Sequence, residues 1–151
     1  MLFSARKLNL FLILNLPSAF LCGVRVKRLD SENCHVGVRH SWINKNPFNS
    51  IFWAVQGMAA ELSTGALIIL KINELNQNIS MLVLRNEAQF TKKAKGRITF
   101  KCIQGLEIDN ALKKAIDTGM GQTVLLKSEG RDSSGDLVSK FSFEWTLKIK
   151  S

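Results

Sequence analysis

The longest apolar pattern in the chain covers residues 46–70, NPFNSIFWAVQGMAAELSTGALIIL, where a polar, turn-forming entry gives way to residues that are apolar around the whole helical wheel. A helix without a polar face is enclosed by other structure. About 20 residues make it roughly 30 Å long, the width of a small domain. Asn49 or Ser50 is placed to cap its first turn. Before it, residues 24–29 and 35–42 alternate apolar and polar positions around a polar turn at 30–33, which predicts an antiparallel hairpin. After it, residues 71–78 are polar. Strands are predicted at 79–84 (resuming at 88–90 after a bend), 97–103, 122–128 and 137–149. A short helix is predicted over 105–119, where Ile108, Leu112 and Ile116 recur at helical spacing. At the N-terminus, residues 4–15 read as an amphipathic helix stopped by Pro17. A basic pair before an apolar run also resembles a secretory signal, but Asn9 and Asn15 interrupt the run.

Strand runs on both sides of one fully apolar helix predict an α+β fold, a curved antiparallel β-sheet wrapped around a long central helix. At 151 residues a single domain is expected, with residues 1–22 as an N-terminal helical segment. The hydrophobic share of 46% and the charged share of 22% are those of a soluble globular chain. A net charge of +9 suits an anionic partner: nucleic acid, a membrane surface or a phosphate-bearing molecule. The basic residues are scattered over several elements rather than gathered with exposed aromatics, so no nucleic acid is expected. No membrane span is expected either, since Gln56 and Glu61 interrupt the long apolar helix. Three cysteines without a CxxC pair read as free thiols in a reducing, cytoplasmic setting, and two histidines give no zinc spacing, so no metal is expected.

Glu61 contradicts its surroundings. An ionised carboxylate among apolar residues must be paired, protonated or facing a cleft. Steps of three and four from it reach Ala54, Gly57 and Gly65, a face bare enough for a backbone or ligand to approach closely. Desolvation there raises a carboxyl pKa, which makes Glu61 a candidate functional residue, with a buried structural ion pair as the competing reading.

The layout and four segments, NPFNSIF at 46–52, AAELSTG at 59–65, FTKKAKG at 90–96 and FSFEWTLKI at 141–149, resemble the hotdog fold of thioesterases and acyl-thioester dehydratases. The closer resemblance is to a branch of that superfamily described as a domain of unknown function, related to phenylacetyl-CoA-type thioesterases. In those enzymes a catalytic acidic residue lies mid-helix, fifteen residues after an entry-loop asparagine. Asn46 and Glu61 have that spacing, while Phe52, Trp53 and Ala54 stand where the family has a His-Gly-Gly turn. The resemblance implies hydrolysis of an acyl-CoA or other acyl thioester, with Glu61 as general base or nucleophile and Asn46 orienting the water or the carbonyl. It implies substrate contacts from Asn49, Ser50, Trp53, Ala54 and Gly57, the backbone N–H groups near Trp53 and Ala54 serving as oxyanion donors. It places Lys92, Lys93, Lys95 and Arg97 at the phosphates of coenzyme A, although a lysine-rich strand edge is also simply a solvated one. It implies no cofactor beyond the coenzyme A of the substrate, and a homodimer or tetramer. The alternative is a non-catalytic acyl- or acyl-CoA-binding protein of the same fold.

Overall fold

A computed structural model describes residues 4–150; residues 1–3, where the expected N-terminal segment begins, and residue 151 lie outside the described residues. Ser4 starts helix α1 (Ala5–Asn15), its hydroxyl accepting the Lys7 N–H at 3.3 Å. Pro17, whose fixed φ suits a first helical position, opens the short α2 (Pro17–Leu21). Strands β1 (Arg25–Leu29) and β2 (Cys34–Arg39) form the expected hairpin, closed by Asp30, whose carboxylate accepts the N–H groups of Glu32 and Asn33. Strand β2 ends short of Trp42. The buried side chain of Asn44 donates to the carbonyls of Cys22 and Arg39 and accepts the Ser41 N–H, which draws residues 42–44 into a 3-10 turn.

The long helix is α3 (Trp53–Leu75), followed by β3 (Ile79–Phe90), β4 (Arg97–Cys102), α4 (Gly105–Thr118), β5 (Gln122–Arg131) and β6 (Leu137–Ile149). The expected bend near residue 85 is a bulge within β3. Neighbouring strands are all antiparallel, in the order β1-β2-β4-β5-β6-β3, and the curved sheet encloses α3. This is the α+β architecture expected from the apolar pattern. Among the described residues α3 alone is long and apolar enough to cross a bilayer, and it is mostly buried in the sheet.

Both ends of α3 differ from expectation. Neither Asn49 nor Ser50 caps it; Phe52 is the capping position and offers no side-chain bond. The loop is held by Asn46 instead, whose Oδ1 accepts the N–H groups of Phe48 and Ser50 and whose Nδ2 donates to Ser50 Oγ. At the other end the helix runs five residues past Leu70, because Lys71 is buried and donates to Asp109 of α4 at 2.6 Å. Three polar pairs then fix the rotation of α3 inside the sheet. Ser139 donates to Gln56 Oε1 at 2.8 Å, Ser63 and Ser128 share a hydrogen bond of 2.7 Å, and the Trp145 indole N–H donates to Thr64 at 3.0 Å.

Helix α1 is amphipathic in part: it buries Leu8 and Leu12 and exposes Arg6 and Lys7, and the rest of it departs from expectation. Its one polar mid-helix residue, Asn9, faces the sheet, and several of its leucines face water. Asn9 acts as a strand partner for the edge of β1: its Nδ2 donates to the Val26 carbonyl and its Oδ1 accepts the Val26 N–H, both at 2.9 Å. Replacing Asn9 by Leu leaves both backbone groups unpaired against an apolar wall. It should lower unfolding stability by about 1–3 kcal/mol, read from urea denaturation.

Candidate active site

Glu61 lies two turns into α3 on the side turned away from Ser63 and the strands that clasp it. It lines a cleft of about 290 Å³ between α3, the α1–α2 segment and the β3–β6 edge of the sheet. The other walls are Leu8, Phe11, Leu16, Ser18, Ala19, Met58, Leu62, Gly65, Ala66, Ile69, Met81 and Trp145, so Glu61 is the one ionisable group on a nearly all-apolar lining. Among the described residues no cation and no hydrogen-bond donor meets its carboxylate. The structural ion pair is thus not made among the described residues. The carboxylate reaches solvent at the mouth of the cleft, yet burial by the apolar walls pushes its pKa above the ordinary glutamate value.

The bare face expected beside Glu61 is partly filled. Gly65 lies beneath Trp145, where an added Cβ would stand 3.4 Å from the indole ring, and Gly57 lies against Phe141. The small residues make room for aromatic rings from the sheet. Gly65 still lines the cleft, while Ala54 and Gly57 line neither this cleft nor the one described next.

A second cleft, of about 490 Å³, opens at the start of α3. Asn46, Ser50, Phe52, Trp53 and Gln56 line one side, and Phe90, Thr91, Lys92 and Lys93 the other. Among the described residues nothing in the protein accepts the N–H groups of Trp53 or Ala54, so the positive end of the helix dipole is available there. Asn46 is engaged in holding its loop, and Asn49 occupies a left-handed turn position at the exposed rim. Trp53 and Glu61 are eight residues apart, about 12 Å along the helix. One chain therefore carries Glu61 and Trp53, at the helix start, in two separate clefts, with Ala54 beside the second.

The basic set also divides. Lys92 is held by Asp132 and Asp136 at 2.6 and 2.7 Å, and those hydrogen bonds raise its pKa. Lys93 borders the helix-start cleft, and Lys95 is exposed outside both clefts. Arg97 lies elsewhere, directly across from Arg39 in the β2–β4 register, and lines a small depression with Lys27 and Arg39. Of the polar residues that orient Glu61, Gln56 reads from the sequence only as an interruption of the apolar run, and Ser63 and Thr64 were not singled out. Their partners lie 65 to 83 residues away, and only their position inside an otherwise apolar helix marks them.

The family model of the domain of unknown function DUF4442 matches residues 6–147. No curated protein matches the chain. Among solved structures, the chain is similar to a Pseudomonas aeruginosa protein of unknown function described as a "Probable Thioesterase", at 19% identity over 96% of each chain with a TM-score of 0.83. It is similar to a thioesterase of Haemophilus influenzae at 14% identity, covering 97% of this chain and 92% of that one, with a TM-score of 0.76. It is also similar to a mutant thioesterase of Pseudomonas aeruginosa at 15% identity, covering 97% and 94%, with a TM-score of 0.75. At these identities the likeness establishes the hotdog fold.

The raised pKa of Glu61 has a consequence for stability. A desolvated carboxylate costs the folded state when it ionises, so this contribution is favourable below the ordinary glutamate range and is lost as pH rises through the raised value. Glu61→Gln removes the ionisation. The variant should melt above the wild type near neutral pH, and the gap should close as pH falls to about 4 in a series of thermal unfolding curves.

Proposed function

The chain belongs to the DUF4442 family and is a thioesterase-like hotdog protein, and on that premise we propose that it hydrolyses an acyl thioester, with coenzyme A as the carrier, at the cleft beside Glu61. The observation that carries the reading is the placement of one carboxylate, with a raised pKa and no partner among the described residues, on an otherwise apolar cleft. Such a cleft accepts a hydrocarbon chain, and a carboxylate whose pKa is shifted toward neutrality is a better general base than an ordinary glutamate. Glu61 takes a proton from water as the water oxygen bonds to the thioester carbon. The C–S bond then breaks, and the proton passes to the leaving sulfur, giving a carboxylic acid and a free thiol. The helix-start N–H groups of Trp53 and Ala54 suit the oxyanion of the tetrahedral intermediate.

The helix start and Glu61 lie about 12 Å apart in one chain, so the reading includes a homodimer in which each subunit lends its helix start to its partner's Glu61. Strand β3 supports this. It is an open edge twelve residues long, with Leu82 and Leu84 exposed, and pairing two such edges continues the sheet across a two-fold axis. Lys93 beside the helix start remains the basic residue best placed for a phosphate of the carrier, since Lys92 is already paired and Arg97 faces elsewhere. The separation of the clefts equally favours a second reading, a protein that binds the acyl thioester without cleaving it.

The two readings part on turnover. In a screen of acyl-CoA chain lengths the wild type should release thiol, and Glu61→Gln should lower kcat/KM roughly 100- to 10,000-fold with an unchanged circular dichroism spectrum. The wild-type rate should rise with pH through the raised pKa of Glu61, because the base works only when ionised. Full activity in Glu61→Gln would remove Glu61 from the chemistry. Saturable acyl-CoA binding without thiol release would establish the second reading.

A further inference from the structure

The first 29 residues carry five basic side chains, Arg6, Lys7, Arg25, Lys27 and Arg28, and no acidic one. Within them α1 presents an apolar face to water. Leu14 is 84% exposed and Leu10 60%, and Ile13 and Phe11 are exposed beside them at helical spacing. Leu21 extends the apolar surface onto α2 at 64%. Lys7, Leu10 and Leu14 follow one another at three- and four-residue steps, so the leucine face ends in positive charge. This segment is no loose arm. Asn9 fastens α1 to β1, and Arg25 fastens α2, its guanidinium lying 3.6 Å from the centre of the Phe20 ring and donating to the Phe20 carbonyl.

We infer that this face of α1 and α2 seats on the surface of an anionic phospholipid bilayer. The leucines would enter the boundary between headgroups and acyl chains, and Arg6 and Lys7 would meet the lipid phosphates. Charge selects this occupant over a second copy of the chain. Helices α1 and α2 carry Arg6 and Lys7 and no acidic residue, so the same two helices of a second copy offer these charges nothing to pair with. The face also joins the Glu61 cleft, because Phe11 and Leu16 are at once exposed and part of the cleft wall. A bilayer docked there delivers hydrocarbon directly to the apolar lining.

The test is flotation of the full chain with phosphatidylcholine vesicles, with and without phosphatidylglycerol. The wild type should float with the anionic vesicles and be released by added salt. Leu14→Glu, at a position outside the core, should lower the bound fraction roughly tenfold. Arg6→Gln with Lys7→Gln should lower it by a similar factor and remove most of the salt dependence. Glu61→Gln should float like the wild type, so this result is independent of turnover. Failure to float with anionic vesicles would overturn the inference. So would unchanged flotation of Leu14→Glu together with a smaller sedimenting species, which would assign the face to a second copy.

Discussion

Everything in this fold depends on how one apolar helix is held inside a curved sheet. Hydrophobic burial alone would leave α3 free to rotate, since it is apolar on every side. Three polar pairs remove that freedom: Gln56 with Ser139, Ser63 with Ser128, and Thr64 with Trp145. A rotation of one residue position would strand all of them in the core, at about 1–3 kcal/mol for each group left unpaired. With Ser63 and Thr64 committed to the strands, Glu61 is turned to the single side the sheet leaves open. The α1–α2 segment covers that side and leaves the cleft between.

The chemistry-bearing groups are consequently distributed. The carboxylate belongs to the middle of α3 and the unpaired amides to its start, and a rigid helix keeps them about 12 Å apart. Asn46 has the sequence spacing of a partner to Glu61, but its side chain is spent on its own loop, on the Phe48 and Ser50 N–H groups and the Ser50 hydroxyl. On the proposed reading, each chain thus presents two incomplete halves of a site.

Periodicity made the long helix, most of the strands and their antiparallel arrangement legible, because each of those signals is local. What was not legible depends on distant partners. Helix α3 continues past Leu70 because Asp109, 38 residues on, compensates the burial of Lys71. Strand β2 stops early because Asn44 reaches back to the carbonyls of Cys22 and Arg39. The glycine face beside Glu61 reads as open in the sequence, yet rings from β6 fill much of it. Lys92 reads as a free cation, yet the β5–β6 turn supplies two carboxylates to it. Glu61 was legible because an ionisable residue inside an apolar run is anomalous in one dimension as well as in three.

Asn9 has a consequence for how far such a molecule can polymerise. A sheet with two open edges can add copies of itself without limit, each addition exposing a fresh edge. Here one terminus of the hydrogen-bond ladder is closed from within the chain, by a side-chain amide that mimics a neighbouring strand at Val26. If copies pair through strand edges, as in the proposed dimer, β3 is the end left unblocked at this position, and a single symmetric pairing there would use it in both copies. The asparagine that interrupts a hydrophobic run near the N-terminus thus occupies, at Val26, the place a strand of another copy would take.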